Sequence, residues 1–495
     1  MKKGLLVLVV AFIAVFAFAA CQQETAPPPA PDTGTGDTAN NNQTVTPPVD
    51  TGGDVVDVSD IVAPVTNLTG DLRVWSFTNE ALVIATAFQE QHPDLNIHFA
   101  MASMDDGSYQ EMVAQAIAVG TGDVPDIIFM EADFVRTFVQ EYGWLQDLSA
   151  LVPNARALET IPFTVQAGTD DNGVVRAFSY QATPGAMFFR RSMAQRYFGT
   201  DDPAQLQAHF ANLDLFIESA RSIQEQSDGN TRVVGSPTEI YRTFLPNRSQ
   251  PWVVNNALHI DPLMYDYMTF AYTLRNENLD AEAGQWGDHW FHAMSDDLVD
   301  AAGNPIAVFS FFMPTWGLPF VIMQNAGDTG GDWGVIPGPM PFQWGGTWLG
   351  MTTVAQNTEA AMEFIRFATL DEAHLTNWAT GVYTNEFLAA IDPNVPGDLH
   401  QPAGDLVSSA RLIRELTPWF TGSAASDFLG GQNPYEIFGE AALAVSFELQ
   451  QGTDNTIGDA FIDAVDLYIT GQADRDETIA SFRSDVQMAL PMLNW

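Results

Sequence analysis

The chain has 495 residues, 46% of them hydrophobic and 11% aromatic, enough to bury the cores of two or three domains or of one large bilobed unit. Its formal net charge is −43, its only lysines are Lys2 and Lys3, and every later fixed positive charge is an arginine. A surface this acidic repels nucleic-acid phosphates and anionic lipid headgroups, and the single cysteine, Cys21, excludes an internal disulfide framework and a multi-cysteine metal site.

Residues 1–21 read as an export signal. Lys2 and Lys3 supply the positive start, and an uninterrupted apolar run follows from Leu5 to Ala20, too short for a comfortable membrane span. The run ends in Phe18-Ala19-Ala20-Cys21, which resembles the lipobox of bacterial lipoproteins, with Phe18 where leucine is usual. That resemblance implies cleavage before Cys21 and lipidation of this residue. Residues 22–67 are rich in Pro, Thr, Gly, Asp and Asn and cannot bury enough surface to fold. They are expected to form a disordered tether spanning roughly 35–40 Å on average.

From about Leu68 the pattern changes. Leu72 to Phe77 alternates like a strand, and Thr78 or Asn79 can cap a helix carrying Leu82, Ala85 and Phe88 that stops at Pro93. Leu95, Ile97, Phe99 and Met101 alternate as a second strand. Ser108 and Glu111 have the spacing of a capping box, and Gly120 ends the helix that follows. Residues 126–130 make a short buried strand, followed by a helix through Phe134, Val135, Phe138 and Tyr142 that closes at Gly143. This strand–helix repetition predicts a parallel α/β sheet, with ligands at the carboxyl ends of its strands. Those ends are residues 76–80, 102–106 and 130–133, and they supply Glu80, Asp105, Glu131 and Asp133 as polar candidates. For a carboxylate there, and for Asp133 most of all, a helix cap is the competing role.

The runs RVWSFTNE, FQEQHPDLNIHF, SYQEMVAQAIAVGTGDVPDIIFMEAD and WLQDLS resemble the family 1 extracellular solute-binding proteins, the sugar-capturing subunits of ABC importers. Residues 175–191 are similar to the family's passage into its second lobe, 213–217 to the following helix, 308–351 to the return strand and "GG" strand, and 358–370 to the long helix after the last crossing. The sequence departs from the family pattern at Phe189-Arg190, where Tyr-Asn is usual, and at Leu213, where Trp is usual. The resemblance spans about residues 70–490. It implies a periplasmic-binding-protein-like α/β fold of type II, with two lobes, about three crossings and closure on a ligand. The expected division is 68–177 and 305–352 in lobe 1, with 178–304 and 353–495 in lobe 2.

Residues 308–351 hold four of the twelve tryptophans, Trp316, Trp333, Trp344 and Trp348, among glycines and prolines that exclude a helix. Flat aromatic faces on strands and tight loops suit a sugar's C–H faces, while its hydroxyls need convergent acceptors and donors. For any one Trp, core packing competes. Trp333 and Trp75 are assigned to packing. By analogy with the family, Trp252 and Trp316 are the stacking platforms, and Trp344, Trp348, Tyr180, Gln181 and Tyr435 complete the candidate set. His289 and His292 lie three apart without a clear third ligand, so no metal site is assigned. No nucleophile elbow, phosphate loop or HExxH motif occurs. No catalysis and no cofactor are expected.

The function that follows is a monomeric carbohydrate-binding subunit. It is held outside the membrane by lipid on Cys21 and delivers an oligosaccharide or polyol to permease subunits driven by a cytoplasmic ATPase. The alternatives are a lipid-anchored polysaccharide-active enzyme and a glycan-binding surface protein without a transport role.

Overall fold

The computed structural model describes residues 60–104, 107–141 and 143–495. Cys21, most of the tether, Asp105 and Tyr142 lie outside the described residues. The last part of the expected tether, from residue 60, is already docked. The Val62 N–H donates to Asn154 Oδ1 at 3.0 Å and the Asn154 amide donates back to the Val62 carbonyl at 2.9 Å. Val62 and Val65 pack on the first core, so the fold begins before Leu68.

The first sheet runs, edge to edge, Leu95–Met101, Gly70–Ser76, Ile127–Glu131, Thr347–Met351 and Ala177–Ser179. The first three strands are parallel, as their helical crossovers require. Thr347–Met351 runs antiparallel to both neighbours and pairs Thr347 with Glu131 and Trp348 with Ser179. Helix Glu80–Gln91 ends before Pro93, and helix Ser108–Val119 ends on left-handed Gly120. The expected capping box does not form. Gly107 is the N-cap at φ +76°, and Ser108 is the first helical residue, with its hydroxyl donating to the Ser103 carbonyl. The helix expected through Tyr142 is Ala132–Arg136 followed by one wider turn, Thr137–Glu141.

The second sheet is antiparallel: Ser310–Pro314, Gly185–Arg190, Trp333–Ile336. This corrects the expected lobe boundary. Strands Ser310–Pro314 and Trp333–Ile336 belong to the second sheet, Ala307–Val308 pairs with Thr231–Arg232, and the chain rejoins the first sheet at Thr347. The helices are also divided differently. Phe364 and Phe367 of Thr358–Leu370 pack on Phe88 beside the first sheet, whereas Phe428 and Phe438 of the later helices pack on Trp333 and Phe188 of the second sheet. Asp454–Ile469 and Arg475–Ala489 join the core on the other face of the second sheet, where Phe461 and Phe482 meet. The strands of residues 310–314 and 185–190 are buried on both faces, so their unbroken apolar runs carried no sign of which sheet would take them.

Three passages connect the two sheets and their cores, at residues 180–184, 337–346 and 445–453. The first two pair with each other. The Gly185 N–H donates to the Phe342 carbonyl at 2.7 Å, the Trp344 N–H to the Thr183 carbonyl at 3.1 Å, and the Thr183 hydroxyl to the Gly345 carbonyl at 2.7 Å.

Candidate functional site

The carboxyl ends of the first sheet's strands meet these passages. Because Thr347 pairs with Glu131, the chain just before it, Trp344-Gly345-Gly346, lies over the end of the Ile127–Glu131 strand. Both glycines are in left-handed conformations, at φ +81° and +108°. A Cβ on Gly345 would stand 2.7 Å from Trp316 Nε1. The glycine pair therefore lets a crossing turn tightly against a tryptophan.

Trp316 follows the Ser310–Pro314 strand of the second sheet. Its indole N–H donates to the Trp344 carbonyl at 3.0 Å, and the two rings meet edge to face at 5.1 Å and 70°. Both are partly exposed. A third tryptophan joins them. Trp286 lies nearly parallel to Trp316, 10° between planes and 6.3 Å between centroids, and edge-on to Trp344 at 5.6 Å. The guanidinium of Arg242 lies over the Trp344 ring at 4.4 Å and reaches Asp133 Oδ1 at 3.7 Å. Arg242 is on Thr238–Phe244, whose apolar face is in the second core, so this pair joins the two lobes.

Glu131, not Asp133, is the helix cap: its Oε2 accepts the Asp133 N–H at 2.5 Å. Burial, then the neighbouring Asp133, holds its carboxyl well above the usual carboxylate range. Glu80 is partly buried and accepts a hydrogen bond from the Tyr180 hydroxyl. Burial and the nearby Asp405 push Glu80 up to about 7, and burial pushes Asp405 to about 6. Asp405 in turn accepts the Trp378 indole N–H at 2.7 Å.

Two hollows lie near Trp316. One, of about 40 Å³, is lined by Asp133, Arg242, Arg248, Gln343, Gly345 and Asn455. The other, of about 330 Å³, is lined by Thr315, Leu318, Leu406, Trp419, Phe420 and Tyr435 among others. The hydroxyl of Thr315, buried beside the second hollow, has no hydrogen-bond partner among the described residues.

The structure thus brings together Glu131, Asp133, Trp316 and Trp344 beside the crossings, while Glu80 stands apart with Tyr180 and Asp405. It does not bring Trp252 there. That ring is fully buried in the second core, 5.4 Å from Phe461 and 5.7 Å from Phe482, with the Arg248 guanidinium over it at 5.1 Å. Arg248 is itself buried and paired with Asp454 at 2.7 Å, and this pair seals the loop inward. Trp348 is also core. It points to the opposite face of its strand from Thr347 and donates to the Thr164 carbonyl at 2.7 Å. Tyr180 is fully buried, and Gln181 donates to the Thr347 hydroxyl at 3.0 Å. Tyr435 is 2% exposed, stacked on Phe420 at 3.9 Å, with its hydroxyl donating to the Asp405 carbonyl. Trp333 and Trp75 are packing residues.

Trp286, Arg242 and Asp405 were not among the residues singled out from the sequence. Arg242 and Asp405 carry no local signal. Trp286 does: it stands in Gly284-Gln285-Trp286-Gly287, a tryptophan set between glycines like those of the 308–351 stretch.

Residues 75–374 match the family model described as bacterial extracellular solute-binding protein. A search of curated proteins finds no sequence match. Among solved structures, an extracellular solute-binding protein of family 1 is 18% identical with a TM-score of 0.67, covering 86% of this chain and 100% of its own. An ABC transporter associated binding protein from B. animalis subsp. lactis, in complex with β-1,6-galactobiose, is 18% identical with a TM-score of 0.58, covering 85% and 98%. The sugar-binding protein MalE from Xanthomonas citri is 13% identical with a TM-score of 0.61, covering 86% and 97%. These similarities match the periplasmic-binding-protein-like fold seen in the two sheets and three crossings. With the family model covering most of the chain, they place it: this chain belongs to the bacterial extracellular solute-binding protein family.

Proposed function

We propose that the chain is the extracytoplasmic binding subunit of an ABC importer for carbohydrate. The observation that carries this reading is the group of partly exposed tryptophans, Trp316 and Trp344, at the crossings beside Glu131 and Asp133. Aromatic faces grip the C–H faces of a pyranose, and the buried carboxyls and Thr315 receive or donate to its hydroxyls. A ligand touching residues of both lobes stabilises the arrangement in which they meet, which turns binding into a shape signal for a permease. The binding proteins of similar fold carry galactobiose in one case and are named for sugar binding in another.

The same reading attaches the protein to the membrane through lipid on Cys21, with the acidic, lysine-free body as a monomer beyond it and ATP hydrolysed by a separate cytoplasmic partner. No helix among the described residues is long and apolar enough to cross a membrane. The chain captures and releases its solute unchanged.

A thermal-shift screen of the full chain against mono- and oligosaccharides tests this. A bound sugar at 100 times its dissociation constant stabilises the fold by about 2.7 kcal/mol. Turnover of the same sugars would overturn the binding-protein reading in favour of an enzyme, and no shift with any glycan would remove carbohydrate as the ligand.

A further inference from the structure

Trp286 occupies a backbone position that tryptophan ordinarily avoids. The Gly287 N–H donates to the Gly284 carbonyl at 3.0 Å, closing a four-residue turn with Trp286 third, at φ +71°. Turns with positive φ there take glycine or asparagine, because a Cβ crowds the backbone. Among the described residues, the other non-glycine positive-φ positions hold only Asn, Asp or Glu. A bulky ring kept in a strained turn is retained for what its side chain does. That side chain lies nearly parallel to Trp316, at the crossings, over the partner that the functional reading makes a platform. The turn that carries it is exposed at Gly284 and Gly287, a Cβ on Gly284 would meet nothing within 4 Å, and the Trp286 ring itself also packs on Trp290 at 5.3 Å and Phe291 at 6.3 Å.

We propose that Trp286 and Trp316 form a two-faced aromatic clamp that holds one pyranose ring between them, which makes the ligand a glycan of gluco- or xylo-configuration. This inference rests on the carbohydrate-binding reading and adds the sugar class. At 6.3 Å between centroids the two rings are too close to admit a sugar, so Trp286 moves outward on its glycine-flanked turn as the ligand enters. It then packs on the face opposite Trp316. A ring gripped on both faces must present C–H groups on both. A pyranose whose hydroxyls are all equatorial does so, with axial hydrogens above and below. Galactose and mannose each carry an axial hydroxyl, at C4 or C2, that obstructs one face and would be desolvated against an indole without a partner. One platform tolerates either epimer, whereas two opposed platforms do not.

The test is titration calorimetry of the full chain with cellobiose, cellotriose and xylobiose against β-linked galactobiose and mannobiose. The wild-type chain is expected to bind a gluco- or xylo-configured ligand at least about tenfold tighter than its epimers. Trp286→Gly, which suits the turn's backbone, is expected to weaken binding about tenfold or more and to bring the epimers to near equality, while Trp286→Phe keeps part of the preference. A purely structural loss would weaken all ligands alike and leave their ratio unchanged, so a retained ratio in Trp286→Gly overturns the clamp. So does a wild-type chain that binds galacto- or manno-configured ligands as well or better, a result that leaves carbohydrate binding standing and needs no variant to fold. If the wild-type chain binds no glycan, the carbohydrate reading fails and the clamp with it.

Discussion

Replacing Trp316 by alanine separates a binding role from a packing role. The indole makes one hydrogen bond, to the Trp344 carbonyl at 3.0 Å, and two ring contacts, to Trp344 at 5.1 Å and Trp286 at 6.3 Å. A hydrogen bond contributes about 1 kcal/mol and an aromatic pair about 0.5–1.5 kcal/mol, so Trp316→Ala should cost roughly 2–4 kcal/mol of stability. Domains of ordinary stability, about 5–15 kcal/mol, stay folded through such a loss. A platform at the centre of a site costs about 2 kcal/mol or more on truncation, or roughly thirtyfold in dissociation constant. Trp316→Phe keeps a face and loses only the donated bond, so it should lose about 1 kcal/mol of stability and less than tenfold in affinity. Titration calorimetry on both variants, alongside their thermal unfolding, gives the two quantities separately. Alanine and wild-type proteins binding the same sugar equally well, with the variant folded, would refute the assignment and make Trp316 a packing residue.

Trp252→Ala should behave oppositely. It empties a fully buried indole site between Phe461 and Phe482, costing about 3–5 kcal/mol in denaturant unfolding, while the molecules that remain folded bind with unchanged affinity. Gly345→Ala should lose about 1–2 kcal/mol from its φ of +81° alone and should also weaken sugar binding, because the new Cβ would stand 2.7 Å from Trp316 Nε1; equal affinity would mean that Trp316 yields freely. The Glu80 carboxyl is raised from 4.5 to about 7 in the folded chain, so its proton binds more tightly there than in the unfolded chain. Its stabilising contribution is present below about pH 4.5 and is lost as pH rises through about 7, with Asp405 following the same direction up to about 6. Comparing denaturation midpoints of wild type and Glu80→Gln from pH 4.5 to 8 isolates this contribution from the general charge repulsion, and the variant's curve should fall less across that window.

Much of the first lobe was legible in the sequence because its signals are local. Alternation in residues 70–76 and 95–101, the Pro93 stop and the left-handed Gly120 each act within one element. Trp344 with Gly345 and Gly346 marked one crossing for the same reason, since tight turns leave a residue-type signature at the turn itself. Tertiary structure decided what those signals leave open. Trp252 and Trp316 each follow a proline within two residues, yet the first is sealed inward by Arg248 and Asp454, 206 residues apart, and the second stays at the crossings. The strands of residues 310–314 and 333–336 are apolar on both faces, so periodicity could not assign their sheet, and pairing with Gly185–Arg190 did. Glu80 meets Tyr180 across 100 residues, and Arg242 reaches Asp133 from the other lobe. Exposure, pairing and the partner of a buried charge depend on which distant segment arrives beside a residue. Local residue patterns set the elements and the chemistry available at their ends. The packing of the two lobes determined which of those side chains face a ligand.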